Sequence, residues 1–81
     1  MEKWKKQLRK IPHGGDLDRI IEAITLLLAR DLSTLDRLQL KGFENIFRIR
    51  VGNYRIIYHD DGETITIKAI PRRDENTYND F

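Results

Sequence analysis

The chain has 81 residues, no cysteine, and 15 basic against 13 acidic side chains, for a net charge of +2. That length predicts one domain over 1–81, burying only about 60–65% of its unfolded surface. Without cysteine there are neither disulfides nor thiolate metal sites, which fits a reducing, cytoplasmic compartment; no apolar run reaches the roughly 20 residues of a membrane span, and no apolar segment follows the basic N-terminus to make a secretory signal.

Residues 2–11 predict a short helix. Trp4, Leu8 and Ile11 recur at i, i+4 and i+7 and form one narrow apolar stripe. Lys3, Lys5, Lys6, Arg9 and Lys10 take the remaining surface, either as a solvated face or as a contact to nucleic acid. Pro12-His13-Gly14-Gly15 ends the helix in a turn, with His13 an exposed loop residue. Asp16 is placed to cap a second helix. Leu17, Ile20, Ile21, Ile24, Leu27 and Leu28 follow the helical period closely, so this helix should bury a wide stripe. Two helices a few residues apart predict an antiparallel hairpin. Residues 31–42 read as a crossing segment in which Leu32, Leu35, Leu38 and Leu40 tuck under a sheet edge, with Ser33 a candidate cap for one extra helical turn.

From Ile46 to His59 the period changes to two. Phe47, Ile49 and Val51 share one face, with Arg48 and Arg50 on the other; Gly52 and Asn53 then suit a tight hairpin turn. Beyond it Tyr54, Ile56 and Tyr58 alternate with Arg55 and His59. Asp60-Asp61-Gly62 makes another turn, and Ile65, Ile67 and Ala69 predict a third strand with its apolar side to the core. Continued parity puts Lys68 and Arg72 on the arginine side, and Pro71 should end the pairing. The polar tail carries Arg73, Tyr78 and Phe81 and reads as a helical turn folded back on the sheet.

These elements predict an α+β fold, with an N-terminal helical hairpin packed on one face of an antiparallel sheet of three or more strands. Leu17, Ile21, Ile24 and Leu28 should lie buried against Phe47, Ile49, Ile56 and Ile67. The opposite face gathers Arg48, Arg50, Arg55, Lys68 and Arg72, and Glu44 and Glu63 lie only at strand ends. Arginine stays protonated near neutral pH and its planar fork suits phosphate. Like charges on adjacent strands are unfavourable, which points to a polyanionic partner from outside. There is no glycine-rich nucleotide motif and no nucleophile triad. Two histidines far apart and no cysteine leave no transition-metal site, so neither metal nor other cofactor is expected.

The order helix, helix, L-K-G, R-I-R-V-G-N-Y-R-I-I-Y, alternating strand and R-R-x(4)-Y resembles the RelE/ParE toxin superfamily, and more narrowly the RelE-type messenger-RNA interferases of type II toxin–antitoxin pairs. The likeness covers nearly the whole chain, and 40–78 is its specific part. It implies a toxin neutralised by a cognate antitoxin that wraps it, and an endoribonuclease that enters the ribosomal A site and cuts the message there. The matching cleavage positions are Arg48, Arg50, Arg55, Arg72 and Tyr78, with Arg73 a rival to Arg72. Lys3, Lys5, Lys6, Arg9, Lys10, Lys68 and Arg73 are then RNA- and ribosome-binding candidates. The alternative is a non-enzymatic ParE-type gyrase inhibitor or a degenerate binding module of the same fold.

The chain departs from the pattern twice. The family usually begins with a strand before the first helix; this chain starts at or just before the helix, so that strand is expected to be missing or supplied by another chain, which predicts an open sheet edge for an antitoxin or a second copy. Some relatives place lysines where this chain has Arg48 and Arg50, and arginine cannot serve as a general base. His59 lies on the arginine face and is of a residue type suited to proton transfer, yet it stands at the far end of its strand, as a base or as a plain surface residue.

Overall fold

The structure, a computed structural model, describes residues 2–72; Arg73, Tyr78 and the expected tail turn lie outside them. The elements in chain order are α1 (Lys3–Lys10), α2 (Gly15–Leu28), β1 (Arg37–Gln39), β2 (Ile46–Val51), β3 (Tyr54–Asp60) and β4 (Ile65–Ala69). The strands form one antiparallel sheet in the order β1-β2-β3-β4. On one face α1 lies against β4, and α2 covers β2 and β3. This is the α+β architecture expected from the change of period at Ile46.

The centre is the β2–β3 hairpin. Phe47 faces Tyr58, Ile49 faces Ile56 and Val51 faces Tyr54 across the two strands. Ile49, Ile56 and Tyr58 are wholly buried beneath Ile20 and Leu27 of α2. Gly52 alone of the two turn residues takes positive φ, at 57°. A side chain there would strike the carboxylate of Asp16, which accepts a hydrogen bond from Asn53 Nδ2 at 3.2 Å. Asp16 is therefore not the cap of α2. Gly14 holds the N-cap position, and Asp16 sits one residue inside the helix, tying its first turn to the hairpin.

The rotation of α2 corrects the expected core. Ile20, Ala23 and Leu27 face the sheet, while Ile21 and Leu28 are 47% and 56% exposed. Each residue turns the helix by about 100°, so the apolar run spans more arc than a sheet beneath it covers. Leu17 and Ile24 sit at the flank, half-buried. The helix ends in a Schellman arrangement, in which Arg30 at φ 58° donates to Leu27 O and Asp31 N–H donates to Leu26 O.

Residues 31–42 hold a strand that their leucines disguised. Leu32 and Leu35 do pack against the core, and Leu40 is buried, but Leu38 is 55% exposed. Ser33 starts no helical turn; its hydroxyl lies 3.4 Å from the Asp31 carboxylate. β1 is short, and its side chains lock it in place. The Arg37 guanidinium stands 5.3 Å over the Phe47 ring and donates to the Tyr58 hydroxyl at 3.1 Å. Phe47 stacks in turn on Tyr58.

A second correction concerns β4. Ile67 pairs with Tyr58, but Ala69 pairs with Ile57, so Lys68 is an extra residue in a β-bulge. The bulge reverses the parity. Ala69 lies on the sheet face away from the helices, where it packs with Ile57, Leu40, Phe43 and Ile46 in a second apolar cluster.

Two substitutions test this frame. Gly52→Ala should destabilise the protein by about 1–2 kcal/mol from the left-handed backbone alone, and by more where Asp16 must move. Ile57→Ala should cost roughly 2–5 kcal/mol, as for a core isoleucine, although the alternation assigns this position to the arginine face. Urea unfolding followed by circular dichroism measures both; an Ile57→Ala protein as stable as the parent would show that the second cluster is not a core.

Candidate nucleic-acid interface

The face turned away from the helices carries Arg48 and Arg50 on β2 and Arg55 on β3. Arg50 and Arg55 stand directly opposite each other in the hairpin register. Side chains so placed start about 5 Å apart at Cβ, and two like charges there repel. Arg48 faces Ile57, so the arginines border the buried floor of Ile57, Ala69 and Leu40. Local structure thus makes a basic rim beside an apolar base.

This face is not short of acid. The β1–β2 register carried back one residue sets Asp36 opposite Arg50, on the same face. The Asp36 carboxylate accepts from Arg50 Nε at 2.8 Å and pairs with Arg48 Nη1 at 3.6 Å. Its backbone carbonyl accepts from Arg48 Nη1 at 3.3 Å and from the Arg50 N–H at 3.0 Å. Carboxylate and carbonyl of one residue thus both engage the two arginines. The Arg48 side chain is only 13% exposed, whereas that of Arg50 is 44% exposed. The hydrogen bond from Arg50, with the positive charges of Arg50 and Arg48, holds the Asp36 carboxyl below the ordinary aspartate value of 3.8. The leucines of residues 31–42 spell a crossing segment, and that pattern hides Asp36 as a neighbour of Arg50. The alternation of Asp36, Leu38 and Leu40 against Arg37 and Gln39 was the signal available.

The remaining candidates divide. Arg72 does not join the arginine face. It forms a bridge with Tyr54, a residue of the helix-side face, and lines a cleft of about 430 Å³ with Gln7, Lys10 and Tyr54. The bulge at Lys68 is the cause, since one extra residue sends every later side chain to the opposite face. Lys68 is exposed at the bulge itself. Lys3, Lys5, Lys6, Arg9 and Lys10 are exposed on α1, on the helix layer, behind the sheet rather than beside Arg55. His59 pairs with Ile46 and Thr66, four residues from Arg55 and so about 13 Å along the strand. Arg73 and Tyr78 lie outside the described residues. No group of three histidine, aspartate or glutamate side chains able to hold a metal occurs among the described residues, and no helix there is long and apolar enough to cross a membrane.

Comparison with known proteins agrees with the fold. The family described as ParE toxin of type II toxin–antitoxin system, parDE, matches residues 1–77. Toxin RelE3 of Methanocaldococcus jannaschii is 46% identical over 39 residues, which are 48% of this chain and 44% of that protein. The chain thus aligns with less than half the length of that relative. The toxin–antitoxin crystal structure of RelB–RelE from Methanococcus jannaschii is similar with a TM-score of 0.72 at 32% identity, covering 96% of this chain and 92% of the other.

The acidic contacts have a pH signature. Asp61, like Asp36, is held below 3.8, first by the Thr64 N–H and then by that of Glu63. Both carboxylates are easier to ionise folded than unfolded. Their stabilisation is complete above the unfolded value and is lost as pH falls through the lower folded values. The urea midpoint should therefore drop between about pH 5 and about pH 3, and less steeply for Asp36→Asn, which has one such carboxylate fewer. Equal slopes for parent and variant would contradict the Asp36 contacts.

Proposed function

The chain belongs to the ParE toxin family of type II toxin–antitoxin systems, within the RelE/ParE superfamily, and from that premise we propose that it is a ribosome-dependent endoribonuclease that cuts messenger RNA in the A site. The observation that carries this reading is the pairing of Arg50 with Arg55 across the hairpin, with Arg48 alongside, on the face turned away from α1 and α2. A cognate antitoxin is the proposed partner, by likeness to a relative solved as an antitoxin–toxin complex.

In the proposed reaction a ribose 2′-oxygen attacks the adjacent phosphorus. A 2′-O–P bond forms and the P–O5′ bond breaks, leaving a cyclic phosphate and a free 5′-hydroxyl. The 2′ proton passes to solvent water, and the departing 5′-oxygen takes one up. Negative charge grows on the non-bridging oxygens during attack, and fixed guanidinium donors stabilise it. Arginine gives up no proton near neutral pH, so Arg48, Arg50 and Arg55 act as electrostatic donors only. Tyr78 and Arg73, the rival to Arg72, complete the proposed set, since Arg72 lies on the helix side, and the lysines of α1 hold the ribosome through its phosphates.

The match to the ParE family model supports a second reading, a toxin that inhibits gyrase by binding it. Arg55 separates the two. Its backbone lies between the core residues Tyr54 and Ile56, so its side chain is aimed by a rigid strand. Arg55→Ala should keep the fold and lower message cleavage by about 100- to 1000-fold, the usual effect of losing one preorganised donor. Lys5→Ala or Lys6→Ala should weaken ribosome association and leave cleavage at saturation intact. Primer extension on a translated message, with growth curves after expression without antitoxin, measures this. Codon-positioned cuts support the ribonuclease; DNA damage signalling without cuts supports gyrase inhibition.

A further inference from the structure

Asp36 sits at the arginine cluster with the wrong sign for an RNA site. A free carboxylate beside the phosphate path repels the substrate, so its presence needs a physical reason. The geometry supplies one. Asp36 engages a single nitrogen of each arginine, Nη1 of Arg48 and Nε of Arg50. The other guanidinium nitrogens of Arg48 and Arg50 have no protein acceptor among the described residues. Held at one corner, each fork keeps its remaining N–H groups for an outside oxygen. The Asp36 carbonyl accepts from both the Arg48 side chain and the Arg50 backbone, so the carboxylate is anchored to β2 by the same residue that presents it.

We propose that Asp36 is a positioning residue of the ribonuclease site: it fixes Arg48 and Arg50 in one orientation toward the scissile phosphate, and in doing so accepts weaker RNA binding for faster cleavage. The proposal rests on the ribonuclease reading above. Two long side chains on one strand, opposite a third arginine, would otherwise spread apart to relieve repulsion. A carboxylate between them offsets that repulsion and removes rotamer freedom before the RNA arrives, which is the condition for effective transition-state stabilisation. Asp36 is not the proton acceptor. Its carboxyl is held below the ordinary range by the arginines, so it is a poor base near neutral pH.

A positioning role separates binding from turnover. Asp36→Asn removes the negative charge and keeps the shape. RNA binding should tighten, and its salt dependence should steepen by about 0.7 in log–log slope for each further phosphate that the released arginines neutralise. Maximal cleavage should fall on the order of 10- to 100-fold, as for misplaced catalytic groups. Asp36→Glu restores the charge on a longer arm, so binding should return to the parental value and cleavage should recover in part. Asp18→Asn, an exposed acid in the first turn of α2, makes the same charge change on the helix layer and should alter neither.

Binding is read by fluorescence anisotropy of a labelled single-stranded RNA with 2′-methoxy groups, which blocks attack. Cleavage is read on purified ribosomes programmed with a defined message, varying toxin to saturation, with circular dichroism to check folding. Tighter binding with slower saturated cleavage in Asp36→Asn, and partial rescue by Asp36→Glu, supports the proposal. A folded Asp36→Asn protein that binds and cleaves as the parent does, or that binds more weakly and cleaves more slowly, overturns it and leaves the ribonuclease reading standing. A parent protein that cuts no message removes that reading, and the role of Asp36 with it.

Discussion

The Gly52–Asn53 turn is the constraint on which the rest of the sheet depends. It sets β2 against β3 so that Ile49 meets Ile56 and Arg50 meets Arg55. One register therefore builds the core and the arginine cluster together, and a slip of one residue would exchange them. The turn can be this tight because Gly52 accepts positive φ and leaves room for Asp16. Asp16 in turn binds Asn53, so the start of α2 is docked where the two faces of the hairpin are decided.

A sheet of four strands with helices on one face leaves the other to be managed. Here it is partly closed by its own small core of Leu40, Ile57 and Ala69, with Phe43 and Ile46 packed beside it. That core gives the arginines a firm base, since a guanidinium rooted in packed backbone loses less freedom when it meets a phosphate. The bulge at Lys68 makes the arrangement possible by turning Ala69 to this side. It also carries Arg72 away to the helix side beside Lys10. Among the described residues, the arginines of the sheet face are thus separated from the basic residues around α1.

Asp36 binds the edge strand to the site. β1 is only three residues long, too short to hold by backbone pairing alone. It is fastened on one face by Arg37 over Phe47 and Tyr58, and next to it on the other by Asp36 with Arg48 and Arg50. The exposed ion pairs contribute little individually to stability. Their larger effect is on geometry, because they restrict where two long cationic side chains can point.

The sequence by itself determined the elements whose periodicity is strong and local: α1, α2, the β2–β3 hairpin with its facing arginines, and the start of β4. In each, hydrophobic spacing and turn chemistry act within a few residues and agree. The family likeness was legible for the same reason, since it rests on the hairpin run. Tertiary structure alone decided the rest. The roll of α2 that exposes Ile21 and Leu28 depends on how much helix surface the sheet can cover. β1 exists because β2 offers an edge and Tyr58 a hydroxyl, neither visible within residues 31–42. The fates of Ala69 and Arg72 turn on one bulged residue, which alternation cannot register. The pairing of Asp36 with Arg48 and Arg50 joins residues 12 and 14 positions apart, and only the folded register brings their charges within reach of each other.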